Sequence, residues 1–79
     1  MPRFYFDYMS GEELAPDDTG TVLSDIAEAR AEAIAAAGEW IKDKTASGAA
    51  AELSLSVRDG NPEPLVIVTA SVKIIRDTE

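Results

Sequence analysis

A helical pattern runs from Leu23 to Ser47, and no other segment of the chain sustains that period. At about 100° per residue, Ile26, Ala29, Ala33, Ile34, Ala36, Ala37, Trp40 and Ile41 fall in one arc, while Glu28, Glu32, Glu39, Lys42 and Asp43 fall opposite. The segment therefore reads as one amphipathic helix with a single face for a core. Asp25, with Glu28 three residues on, has capping-box spacing, and Ser24 is an alternative cap. Alanine fills seven of the seventeen positions from Ala27 to Asp43, a composition that favours helix and gives a face thin enough to lie close on a sheet. Trp40 is expected to supply much of the buried bulk. Gly48 is the expected stop, and Gly38 inside the helix costs roughly 1 kcal/mol relative to alanine. Arg30 projects into the apolar arc. It needs a partner or a route to water, as a snorkelling stem, a structural ion pair or an anion anchor.

The flanking segments have period two. Arg3 to Met9 alternates Phe4, Phe6 and Tyr8 against Tyr5, Asp7 and Met9, with the phenylalanines expected to face the helix. Ser10-Gly11 signals a turn, Glu12 to Ala15 can return as a short strand, and Pro16 to Gly20 reads as a loop. After the helix, Leu53, Leu55 and Val57 alternate with Glu52, Ser54, Ser56 and Arg58, the pattern of a half-buried strand. A loop with two prolines follows. Leu65 to Ile75 then alternates Val66, Val68, Ala70, Val72 and Ile74 against Leu65, Ile67, Thr69, Ser71, Lys73 and Ile75. That run exceeds the usual strand length, so part of it is expected to reach past the monomer's core.

The order is ββαββ: an α+β chain, with a four-stranded, mainly antiparallel sheet and one helix across one face. Each hairpin pairs locally, while the pattern leaves open how the two join. Seventy-nine residues make a single domain, 1–79, that buries only about 60% of its unfolded surface. With no cysteine and no histidine, thiol chemistry, Cys/His zinc sites and Ser-His-Asp triads are excluded. The net charge of −8, with −5 of it before Ile26, argues against nucleic acid and against acidic membrane surfaces. No run approaches the ~20 apolar residues that span a bilayer, and the N-terminus lacks an apolar signal segment, so a cytoplasmic protein is expected. Glu12, Glu13, Asp17 and Asp18 lack the ligand spacing of an EF-hand and read as a solvated acidic loop. No metal, no cofactor and no catalytic residue is assigned.

The opening Pro2-Arg3-Phe4-Tyr5-Phe6-Asp7 resembles a family of short bacterial proteins of unknown function that begin Pro-Arg-aromatic-aromatic-Phe-Asp. The resemblance continues through Gly11, Asp18 to Gly20, Asp25, the Ala29 to Ala33 run and Val57-Arg58-Asp59. It implies a compact bacterial domain and no particular reaction, and it draws attention to Asp7 and Arg30.

Two functions from different classes follow. The favoured one is a non-enzymatic protein-interaction module acting as a homo-oligomer, with a possible further protein partner. Its interface would use Tyr5, Met9, Leu65, Ile67 and Ile75, which one helix leaves uncovered. The alternative is a small anionic-ligand binding protein or minor enzyme, with Arg30 as anchor and Asp7 as acid or base. Arg30 and Asp7 are also expected to pair with each other, although strand parity sets Asp7 opposite Phe4 and Phe6.

Overall fold

A computed structural model describes residues 2–78 of the chain. The strands are β1 (Arg3–Ser10), β2 (Glu13–Ala15), β3 (Thr21–Val22), β4 (Ala51–Arg58) and β5 (Val66–Val72), and α1 spans Ile26–Thr45 between β3 and β4. The sheet is antiparallel in the order β2-β1-β4-β5, and α1 lies on one face, so the architecture is α+β. The expected four strands become five because Thr21 and Val22 pair with Phe4 and Arg3. Since β3 and β4 are both antiparallel to β1, they run parallel to each other, and α1 carries the chain across β1 between them. The first strand thus sits beside β4 and not beside the last strand.

Capping follows the sequence closely. The Asp25 carboxylate accepts the Glu28 backbone N–H at 2.9 Å, but Glu28 reaches back to the N–H of Ser24 and not to that of Asp25. At the other end Gly48 adopts φ +88 and donates its N–H to the Thr45 carbonyl, closing the last turn.

Packing departs from the expectation in one respect that matters. The fully buried helix residues are Ala29, Ala33 and Ala37, set against Phe4, Leu53, Leu55 and Val57, with Phe6, Tyr8, Leu23, Ala36, Val66 and Val68 around them. Trp40 is only half-buried, beside Tyr8 and Ala15, with the Lys44 ammonium 5.4 Å from its ring centre. Ile26 and Ile34, also expected inside, are 41% and 56% exposed. Ile26 opens α1 and Trp40 lies in its C-terminal third, so both share the phase of the buried alanines but sit away from their centre along the axis, while Ile34 lies on the flank of the arc. A Cβ at Gly38 would meet no atom within 4 Å, so that glycine serves no close approach and is simply tolerated.

The long last strand is shorter than its pattern. β5 ends at Val72, opposite Ala51 where β4 begins, and Lys73 to Ile75 continue without a β4 partner.

Candidate functional site

The two edges of this sheet are built differently, and the charged residues gather at one of them. Along β1 the outer register runs Ser10↔Glu13, Met9↔Leu14 and Tyr8↔Ala15 on β2, then resumes at Phe4↔Thr21 and Arg3↔Val22 on β3. The gap between the two is filled by the 16–20 loop. One carboxylate oxygen of Asp17 accepts the Phe6 N–H at 3.1 Å, where a strand carbonyl would otherwise sit. The other accepts the N–H groups of Thr19 (3.1 Å) and Gly20 (2.9 Å), an Asx-type turn that fixes the loop. Gly20 has φ +77, and a Cβ there would come within 2.8 Å of the Arg3 side chain and 2.9 Å of the Tyr5 ring. No side chain fits in that crevice.

Asp7 lies on the face away from α1, as strand parity requires, and its partner there is Arg58. The register places Arg58 directly across from Tyr5, so its guanidinium lies 4.6 Å from that ring's centre and reaches Asp7 with Nε at 2.7 Å. A second donor, Nη2, lies 2.8 Å from the Asp17 carbonyl and 3.4 Å from Asp7. Asp7 also accepts the Asp17 N–H at 2.8 Å. The hydrogen bond from Arg58 is the main reason the Asp7 carboxyl is held below its ordinary value, against the opposing effect of burial. Burial alone would raise Asp17, yet the N–H groups of Gly20, Phe6 and Thr19 together outweigh it and hold that carboxyl low as well. Arg58 is pushed further up by the Asp7 hydrogen bond. Both acids are ionised and engaged at neutral pH, a chemistry suited to joining segments and unsuited to proton transfer.

The Arg30–Asp7 pair expected from the helical phase does not form. Arg30 is exposed on α1, and it lines neither the cleft between α1 and β1 nor the hollow beside Asp7. The helix and Asp7 occupy opposite faces of the sheet, a separation that no rotamer of Arg30 bridges. Sequence reasoning missed Arg58 and Asp17. An outward aromatic, acid and base on neighbouring strands was the available signal for the first, and the Asp-x-Thr-Gly spacing for the second.

The other five residues singled out are split between the two edges. Tyr5 is half-buried between Arg58 and Gly20, and Met9 stands exposed on β1. Ser54 and Ser56 of β4 separate them from Ile67 on β5, so the outer face carries no continuous apolar patch. Leu65, Ile67 and Ile75 belong to a different surface, around β5, where they are 50%, 59% and 93% exposed together with Val72 and Ile74. Among the described residues β4 is the only strand that pairs with β5.

Among the described residues no cluster of three or more acidic side chains is arranged to hold a metal, and no helix is long and apolar enough to cross a membrane. No curated protein and no solved structure matches the chain. A family model does match, over residues 3–71, and the protein belongs to that family, the Domain of unknown function DUF6894.

Proposed function

We propose that this domain is a non-enzymatic interaction module that works as a homo-oligomer and can present its remaining surface to a further protein. The observation that carries the reading is the asymmetry of apolar exposure. Leu65, Ile67, Val72, Ile74 and Ile75 are all exposed on one short segment, next to a strand edge with unpaired backbone groups. A domain of this size without disulfides gains stability by covering such a surface. The competing use of Asp7 and Arg30 on a small anion finds no support in the geometry, because Asp7 is engaged by Arg58 and Arg30 lies across the sheet from it. The net charge of −8 favours protein partners over nucleic acid. The setting proposed is the bacterial cytoplasm, supported by the resemblance of the opening to short bacterial proteins.

Light scattering coupled to size exclusion at tens of micromolar tests the reading. A mass of two or more chains is expected, and a single species at 8.4 kDa would overturn it.

A further inference from the structure

The segment around β5 has a property that generic stickiness does not require: it reads nearly the same from both ends. On the outer side it runs Leu65, Ile67, Thr69, Ser71, Lys73, Ile75, apolar at both ends and polar between, and on the helix side Val66, Val68, Ala70, Val72, Ile74, smallest in the middle. From Leu65 to Ile75 it carries no carboxylate, in a chain of net charge −8, and its one charge is Lys73. This is where a second equally acidic copy can approach with least repulsion.

We infer that β5 pairs antiparallel with β5 of a second copy about a two-fold axis at Ala70, joining the two sheets edge to edge with both helices on the same face. The inference rests on the homo-oligomeric reading above. In this register Ala70 faces the partner's Ala70, and Val68 faces the partner's Val72. Ile74 and Ile75, which extend past the end of β4, land on the partner's Val66 and Leu65. The residues that overrun the monomer's sheet thereby gain a strand to pair with. A register centred one residue later would set Arg76 and Asp77 over Val66 and Leu65, whereas this one keeps every charge but Lys73 off the apolar ends, and Lys73 has Glu52 at 3.8 Å.

Two further observations fit a second copy. Glu32 and Ala36 of α1 line the cleft toward β1, which turns Ile34 on the other flank toward β5 and so toward the partner's helix. Leu65, Ile67, Val72, Ile74, Ile75 and Ile34 are each between 44% and 93% exposed, so apolar surface remains for a second copy to cover.

The chain contains no cysteine, so single-cysteine crosslinking is unambiguous. Ala70→Cys places two thiols directly opposite each other, within disulfide reach, whereas Ser71→Cys places them on a diagonal of about 8 Å, beyond it. Mild oxidation should convert most of the Ala70→Cys protein to a covalent dimer on a non-reducing gel and leave Ser71→Cys single. In the wild-type chain, alternate β5 amides should be protected from hydrogen exchange at high concentration and lose that protection on dilution. A wild type that is dimeric by light scattering, with Ala70→Cys uncrosslinked or with concentration-independent β5 exchange, would overturn this pairing and leave the homo-oligomeric reading standing. A wild-type monomer would overturn both, and the edge would then belong to a strand from a different protein.

Discussion

The β1 and β5 edges pose the same physical problem and are treated in opposite ways. Each edge strand carries unpaired N–H and C=O groups along its outer side. At β1 the chain covers them with two short strands and a carboxylate that stands in for the missing piece of a third, and the assembly is tied to β4 by Arg58. At β5 the described residues supply no such cover, and Leu65, Ile67, Val72, Ile74 and Ile75 stand exposed around it. The contrast shows that an acidic loop can protect a strand edge, and it directs the test of the proposed assembly role to the other edge.

The comparison can be broken most severely at Gly20. Gly20→Val puts a branched side chain at φ +77 into a crevice where even a Cβ comes within 2.8 Å of Arg3, and it should cost about 2–4 kcal/mol. Chemical denaturation would register this as a lower midpoint at unchanged slope. A variant as stable as wild type would mean that the loop does not hold the edge.

The next effect is on pH. Because Asp7 and Asp17 are both held below the ordinary value of 3.8, their contribution is complete above that value and is lost as the pH falls through their folded values. Thermal midpoints should decline as the pH falls below about 4 in wild type and less steeply in Asp7→Asn, which cannot titrate there. Parallel curves would show that Asp7 carries none of the dependence. The smallest effect on the monomer is expected at the open edge, where Ile75→Asp should alter unfolding of the dilute protein by no more than about 0.5 kcal/mol while abolishing self-association in light scattering. An intact oligomer in that variant would move the interface away from β5.

Much of the fold was legible because period and parity are local properties. The alternation from Ala51 to Arg58 sets Leu53, Leu55 and Val57 inward, and the Asp25 cap was visible from one residue and its spacing. The phase of α1 was legible too, but phase gives direction and not depth. Nothing in the period says that Trp40 will be only half-buried and Ile34 left outside. The expected Arg30–Asp7 pair failed for a related reason. Parity correctly put Asp7 on the outer face, and the identity of its partner depended on the β1–β4 register, which sets Tyr5 opposite Arg58 across a separation that no local pattern encodes.

The Asp7–Arg58 ion pair also has a consequence in time. Its members are 51 residues apart in sequence, and the ladder they brace joins two locally paired hairpins across the helix connection. Local hairpins form early, whereas closure of a loop this long waits until the chain has lost the corresponding entropy. A pair that forms only once this ladder is complete acts as a latch on the finished sheet, and the test of that is kinetic. Replacing Asp7 with Asn should leave refolding nearly as fast as in wild type and accelerate unfolding, so that the ion pair governs how long the native state lasts and not how quickly it is reached.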